Sequence, residues 1–501
     1  MAESNQTHDL LVIGGGVNGA GIAADAAGRG LDVVLCEKSD LASATSSSSS
    51  KLIHGGLRYL EFYQFGMVRK SLKERDVLAA AAPHIIRPLA FQIPQMPHSR
   101  NSLLVRAGLF LYDNLAKRQR FKQSRALRYE AGGPLNDAIK KGFEYWDAQV
   151  DDSRLVVLNA LQAQKKGASI LTRTECTAIA ESAQGWQVTL HDHIKDSDST
   201  RYFRGIVNAS GPWVSALLES LTQKPAPYPI RLVKGSHIVL PKLHDGKQAF
   251  LLQHHDGRVV FVIPYLGKYS LIGTTEEEYT GELDNVEISS NEIEYLVSIV
   301  NLYFKKSILR SEIVHTYSGV RPLIDQEGMI ASRVSRDYRL ELTADPFPLM
   351  SVYGGKITTY RVLAENAMNR LGRYFPGMRG SWTKRARLPG GDFEMAENLF
   401  QELATKYAWL GPDLISRWLA SYGTLSFDIL GDARGLGDLG VKFGKSLYQR
   451  EVDYLCIKEW ARTAEDILWR RTKLGYQFSA KETTSLSNYI KQSHSIASRN
   501  A

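Results

Sequence analysis

Leu11-Val-Ile-Gly-Gly-Gly-Val-Asn-Gly-Ala20, followed by Val33-Val-Leu-Cys-Glu37, is the stretch whose reading decides the fold. Apolar residues from Leu10 to Ile13 suit a buried strand. Gly14, Gly16 and Gly19 then fall in GxGxxG spacing, Ala20 to Arg29 is Ala-rich and helical in pattern, and Gly30 stops it. Leu31 to Cys36 reads as a second strand ending on the acid Glu37. A strand, glycine turn, helix and strand with an acid about 20 residues on form a unit for gripping a dinucleotide. Gly14 permits the tight turn, Gly16 lets backbone approach a pyrophosphate, and Gly19 lets helix and strand pack closely. The helix N-terminus offers free N–H groups to phosphates, and Glu37 can accept ribose hydroxyls.

The totals bound the rest. A chain of 501 residues is long enough for two or three domains and a large core. Its three cysteines, Cys36, Cys176 and Cys456, lie far apart with no CxxC pair. That argues against a disulfide framework and against a zinc or iron–sulfur site, and no metal is expected. The polar start and the immediate first strand leave no room for a signal peptide. No apolar run approaches the roughly 18 to 20 residues of a spanning helix. The net charge of +9 suits an anionic substrate, an anionic membrane surface or nucleic acid. No RNA-binding motif of known spacing is present, so nucleic acid is not an expected partner.

Beyond Glu37, the serine-rich run Leu41–Ser50 precedes Lys51-Leu-Ile-His-Gly-Gly-Leu-Arg-Tyr-Leu60. By composition the run is a flexible linker. By position, after the second strand of a nucleotide unit, it is a ligand loop whose hydroxyls and amides hold phosphates. Gln64–Ala82 reads as a helix and Phe91–Pro94 as a short strand. Residues 98–130 carry Arg100, Arg106, Lys117, Arg118, Arg120, Lys122, Arg125 and Arg128 against only Asp113 and Glu130, interleaved with Leu103, Leu104, Val105, Leu109, Phe110, Leu111 and Leu115. Such a basic amphipathic segment either lies on an anionic bilayer or forms a solvated face over the core. Asp152 or Ser153 suits the N-cap of a helix at Leu155–Gln164. A small-residue turn, Asn208-Ala-Ser-Gly211, follows another strand. From about 228 to 350 the period changes to strands, with a hairpin at Val259–Pro264 and Tyr269–Gly273, and a helix at Asn291–Tyr303. Leu349–Tyr353 then runs into Gly354-Gly-Lys-Ile-Thr-Thr-Tyr360, a second glycine turn before a helix. Residues 383–501 read as a helical domain with Trp409, Trp418, Trp460 and Trp469 as core anchors.

Assembled, these motifs resemble the aerobic, respiratory, membrane-associated glycerol-3-phosphate dehydrogenase family of bacteria, which is FAD-dependent. The carrying stretches are Ile13–Gly21, Thr45–Leu60, Lys234–Val239, Gly273–Thr275, Tyr317–Pro322, Gly354–Tyr360 and Trp469–Lys473. The resemblance implies an α/β fold, α+β overall. It comprises a Rossmann-like FAD-binding domain of glycine-oxidase or D-amino-acid-oxidase type, a substrate-capping antiparallel sheet and a helical C-terminal domain. The expected spans are 1–90, 145–225 and 345–382 for the FAD domain, 91–144 and 226–344 for the cap, and 383–501 for the last domain. It further implies noncovalent FAD, oxidation of sn-glycerol 3-phosphate to dihydroxyacetone phosphate by hydride transfer to flavin N5, and ubiquinone as acceptor. Peripheral attachment to the cytoplasmic face of the inner membrane and a homodimer complete the expectation. A glycerol-3-phosphate oxidase passing electrons to oxygen is the alternative.

Under this resemblance the cofactor-binding set is Gly14, Gly16, Gly19, Glu37, Lys38, Thr45, Ser46, Ser47, Ser50, Lys51, Leu52, Gly211, Gly354, Gly355, Lys356 and Thr358. Arg58, Tyr59, Arg321, Lys356 and Arg336 are the substrate-binding candidates, because arginine offers a planar fork to phosphate oxygens. His237, Arg321 and Lys356 are the catalytic candidates. His237 is the expected proton acceptor, with His54 behind it, since histidine takes a proton near neutral pH.

Overall fold

The computed structural model describes residues 6–97, 99–325 and 336–499. Along the chain come β1 (Thr7–Ile13), α1 (Val17–Gly28), β2 (Val33–Glu37), β3 (Leu52–Ile53), α2 (Phe65–Ala81), β4 (Ile86–Pro94), α3 (Ser102–Asn114), β5 (Arg125–Arg128) and β6 (Lys141–Val150). Next are α4 (Asp152–Lys165), β7 (Ser169–Thr172), β8 (Thr174–Ser182), β9 (Gly185–Asp192), β10 (Ser197–Asn208), α5 (Val214–Thr222) and β11 (Ile230–Pro241). Then follow β12 (Ala249–Gln253), β13 (Val259–Tyr265), β14 (Tyr269–Gly273), β15 (Glu277–Glu278), α6 (Ser290–Tyr303), β16 (His315–Ile324), β17 (Arg339–Thr343), β18 (Leu349–Tyr353) and α7 (Tyr360–Leu371).

Apolar strands build the first sheet in the order β17-β18-β10-β1-β2-β7. Five of these, β18 to β7, run parallel, as strands buried on both faces must. Helix α1 lies against α4 and α7. Its alanines, Ala20, Ala23, Ala24, Ala26 and Ala27, are buried, and their small side chains allow that close approach.

The second sheet has ten strands, mostly antiparallel, ordered β15-β11-β14-β13-β12-β4-β6-β3, with β16 on β11 and β5 on β6. The hairpin pairs as the alternation predicts, β13 with β14. The domain boundaries expected at 90 and 144 fall inside strands. β4 and β6 pair along their whole length, from Ile86 with Val150 to Pro94 with Gly142, so both belong to the second sheet. β17, expected in the cap, pairs with β18 on the edge of the first sheet. Short apolar runs give no sign of which sheet will take them.

The cap of α4 also differs. Asp151 caps it by accepting the Arg154 N–H, which frees Asp152 for other partners.

The C-terminal region is helical, with helices at Ala396–Lys406, Pro412–Tyr422, Gln449–Lys458 and Ala480–Arg499. Trp418 is fully buried in its core, Trp409 and Trp469 flank that core, and Trp460 packs on the core of the first sheet. The region docks through buried charge rather than through an apolar face alone. Arg471 makes a bidentate pair with Asp40 at 2.8 Å and 2.8 Å, and Arg470 joins the same carboxylate at 2.6 Å. Arg154 pairs with Glu459, with neither side chain exposed. Breaking one partner of such a pair leaves an uncompensated buried charge. Arg154→Met is therefore expected to lower stability by about 3–5 kcal/mol in urea unfolding; a loss below about 1 kcal/mol would show that water or neighbours replace the pair.

Candidate active site

The glycine turn forms a cradle at the carboxyl end of β1. Gly14 has φ +110°, and a Cβ on it would lie 2.6 Å from the Ala209 carbonyl oxygen. A Cβ on Gly19 would lie 1.9 Å from the Gly14 carbonyl oxygen, so the turn and α1 meet only because both are glycine. The N-terminus of α1 opens into a cavity of about 790 Å³ lined by residues of both sheets. Glu37 ties the turn down, accepting the Gly15 N–H at 2.7 Å and the Ser39 N–H at 2.8 Å.

The serine run is an ordered wall of this cavity, not a linker. Asp152, fully buried, accepts the Ser49 N–H and O–H at 3.2 Å and 2.7 Å and the Lys51 ammonium at 3.0 Å. The Ser46 hydroxyl accepts the Val17 N–H of α1 at 3.0 Å, and Thr45 donates to the Val320 carbonyl at 2.7 Å. Ser50 Oγ lies 2.9 Å from His237 Nε2. The loop thereby joins α1, α4, β11 and β16.

Farther in, the cavity wall is cationic. Arg58, Arg321, Arg336 and Lys356 arrive from four separate segments and all line it. Arg58 and Arg321 each stand 3.6 Å from the Glu276 carboxylate, and Arg336 bonds it directly. The Lys356 ammonium lies 3.9 Å from the Tyr59 ring centroid and 3.1 Å from Met67 Sδ. Burial, then the Arg336 charge, brings Lys356 down to about 7. Burial also lowers Arg321 to about 10, with Arg336 adding to the shift.

The two histidines behave differently. His237 stacks on Tyr317 at 4.8 Å, and its Nδ1 is buried with no hydrogen-bond partner among the described residues. Burial, then Lys51 and Arg321, holds its proton affinity well below the usual histidine range. Burial, with Lys356 and Arg336, pushes His54 to about 3. Both rings are neutral near pH 7.

Of the predicted cofactor residues, Gly14, Gly16, Glu37, Lys38, Thr45, Ser46, Ser50, Leu52, Gly211, Gly354, Gly355, Lys356 and Thr358 line the one cavity. Gly19 sits behind the turn. The Ser47 hydroxyl donates to the Ala44 carbonyl, within its own loop. Lys51 turns its ammonium away, into Asp152 and the Ser47 carbonyl, so it shapes the loop. Lys38 pairs with Asp284 at 3.1 Å and lies over the Trp213 ring at the cavity wall. Sequence reasoning missed Glu276, Asn18 and Asp152. Glu276 is the first of three consecutive glutamates, and nothing in that run separates it from Glu277, which pairs with Lys234 at 3.5 Å.

Comparisons with known proteins agree with this geometry. A family profile described as FAD dependent oxidoreductase matches residues 9–361. A second, described as the C-terminal domain of alpha-glycerophosphate oxidase, matches residues 381–491. The chain is 50% identical over 496 residues to a glycerol-3-phosphate dehydrogenase of Pseudomonas aeruginosa, covering 98% of this chain and 96% of that one. It is 47% identical to the aerobic glycerol-3-phosphate dehydrogenase of Escherichia coli, over 97% of each chain. The chain belongs to the FAD-dependent glycerol-3-phosphate dehydrogenase family. A D-erythritol 1-phosphate dehydrogenase of Brucella abortus is 49% identical, over 94% of this chain and 95% of that one. The solved glycerol-3-phosphate dehydrogenase of Bacillus halodurans, complexed with FAD, superposes with a TM-score of 0.76 at 25% identity, over 98% of this chain and 95% of that one.

The residues present fit the cofactor of this family. The turn excludes any side chain where phosphates must approach, and α1 aims its N-terminus at that point. The buried Asn18 Oδ1, at the start of α1, has no partner among the described residues and faces the same cavity. Gly14, Gly16 and Ser46 would hold the pyrophosphate, Glu37 the adenosine ribose, and Gly354, Gly355 and Thr358 the far end. Among the described residues no group of three or more His, Cys, Asp or Glu side chains is arranged to hold a metal ion.

Proposed function

We propose that this chain oxidises sn-glycerol 3-phosphate to dihydroxyacetone phosphate and passes the electrons to a quinone at a membrane surface. One observation carries the substrate: three arginines and a lysine converge on one end of the cofactor cavity, the arginines around the Glu276 carboxylate. Guanidinium forks match the oxygens of a phosphate monoester. The cluster's net positive charge supports a dianion. The relatives named for polyol phosphates support the same class.

Bound FAD supplies the acceptor for the hydride that leaves C2. Arg58, Arg321 and Arg336 bind the phosphate and so orient C2 toward the Gly354–Lys356 turn. The C2 hydroxyl must lose a proton, and three groups in the cavity can be weighed for it. His237 and His54 are too weakly basic in their surroundings. Lys356, brought to about 7 by burial and Arg336, is half unprotonated near neutral pH and takes the role. His237 then acts as a wall, fixed by Ser50 and Tyr317.

Helix α3 supports the membrane. Leu103, Leu104, Phe110 and Leu111 lie on one helical face and point outward, Leu103 at 81% exposure and Phe110 at 63%. Its inner face is small, with Leu109 and Tyr112 buried. The solvated-face reading of this segment required polar residues there. Exposed Arg106 lies on the helix, and exposed Lys117, Arg120 and Lys122 follow in the loop after it, a basic complement suited to an anionic interface. No helix among the described residues is long and apolar enough to cross a membrane.

Anaerobic addition of sn-glycerol 3-phosphate to the FAD-loaded protein should bleach the flavin absorbance; a band that persists would reject the substrate while keeping the family. With quinone present the electrons should reach it, and peroxide release in its place would identify an oxidase. Lys356→Met should slow flavin reduction by about a hundredfold with FAD still bound. The native reduction rate should rise with pH through about 7, because the unprotonated amine is the active form; a pH-independent rate would remove Lys356 from the role. Replacing Leu103 and Phe110 together with Glu should abolish co-sedimentation with anionic vesicles and leave turnover with a soluble acceptor intact; undiminished sedimentation would place the contact elsewhere.

A further inference from the structure

Glu276 is buried in the wrong company for a phosphate site. It follows Thr274 and Thr275 at the exit of β14, and its side chain is 10% exposed. Around it stand Arg58 from the turn before α2, Arg321 from β16 and Arg336 from the residue run before β17. Arg321 is aimed by a second contact, donating to Thr274 Oγ1 at 3.0 Å. Arg336 bonds the carboxylate directly, and the other two contacts to it are loose. Arg58 and Arg321 reach the carboxylate only at 3.6 Å, beyond hydrogen-bond length. Arg58 Nε, Arg321 Nη1 and Glu276 Oε2 are buried and make no hydrogen bond among the described residues. Buried donors left this way are costly unless something else satisfies them.

The donors that converge on Glu276 are the same ones a phosphate needs. A dianion on those forks would press against the carboxylate at a few ångströms in a site of low dielectric. The two anions therefore compete for one set of guanidiniums. Exchanging one negative charge for two is favourable among three arginines. Exchanging one for one gains nothing. We propose that Glu276 is a resident counter-ion which the substrate's phosphate displaces, so that a ligand must carry two negative charges to enter. The residue is then a determinant of specificity and not of the chemistry itself. It keeps the three forks converged while the site is empty, and it turns away the singly charged hydroxy acids that share the substrate's hydroxyls. The proposal rests on the phosphate reading above.

The test uses the FAD-loaded enzyme and two probes, glycerol 2-phosphate and glycerate, titrated by the perturbation of flavin absorbance. The native enzyme should prefer the phosphate ester by about a hundredfold or more, and a preference below about tenfold overturns the proposal without any variant. In Glu276→Gln, glycerate should tighten by about tenfold and the preference should fall by about fivefold or more. Glu276→Asp, which keeps the charge, should retain the native preference. An unchanged preference in Glu276→Gln, or both probes weakening by about tenfold, would instead make Glu276 a structural brace or a partner of the substrate's hydroxyl. Flavin bleaching by sn-glycerol 3-phosphate together with an unchanged preference sinks the counter-ion alone. Absence of bleaching, with neither probe bound, sinks the phosphate reading beneath it.

Discussion

The carboxylate of Asp152 holds the loop on which both halves of the cavity depend. Fully buried at the first turn of α4, it takes two hydrogen bonds from Ser49 and the ammonium of Lys51. The ion pair alone would be poor value in the interior, where desolvation offsets attraction. Here it comes with donors that satisfy the remaining lone pairs, and it fixes a serine-rich segment that by composition would be mobile. The fixed loop then lays Ser46 on α1, Thr45 on β16 and Ser50 on His237. The parallel sheet supplies a cofactor cradle and the Lys356 turn after β18, the antiparallel sheet supplies Arg321 on β16, and this loop ties the two together.

Charge is arranged oppositely at the two ends of the molecule's interior. Between the first sheet and the C-terminal helices, each buried cation has a close carboxylate: Arg471 and Arg470 on Asp40, Arg173 on Asp466, Arg154 on Glu459. In that interface every named cation has its carboxylate, which specifies one docking geometry. Asp40 lies only three residues past Glu37, so the C-terminal helices also hold the floor of the cofactor site. In the cavity, by contrast, cations outnumber carboxylates in the described lining, and Arg58 Nε and Arg321 Nη1 have no hydrogen-bond partner among the described residues. The same burial that makes such a cluster unfavourable lowers Lys356 to about 7 and depresses both histidines. A folded protein tolerates this where a ligand completes the set.

α3 joins the site to the surface. Its outward face is apolar, while its inward Tyr112 donates to Asp147 at 2.7 Å and accepts the Gly55 N–H at 2.8 Å. Gly55 belongs to the turn that carries Arg58 and Tyr59 into the cavity. Arg75 completes the buried cluster by donating to Asp147 at 2.7 Å. The exposed helix and the Arg58 turn thus share one rigid anchor.

The chain order alone determined the dinucleotide cradle, because its parts are local. Gly14, Gly16, Gly19 and Glu37 lie within about two dozen residues, and their spacing follows from strand and helix geometry. Family resemblance brought the serine loop, Arg58, Tyr59, Arg321 and Lys356 together, with Arg336 as a further phosphate candidate, and the fold does place them around one cavity. What only the tertiary structure decided depends on contacts between distant residues. Glu276 meets Arg58 across 218 positions and Arg336 across 60. Asp152 meets Lys51 across 101. The side of α3 that faces outward, the sheet that takes β4 and β6, and the proton affinity of Lys356 have the same origin. Each depends on burial and on charges brought close by folding, and neither quantity is written in any short stretch of the chain.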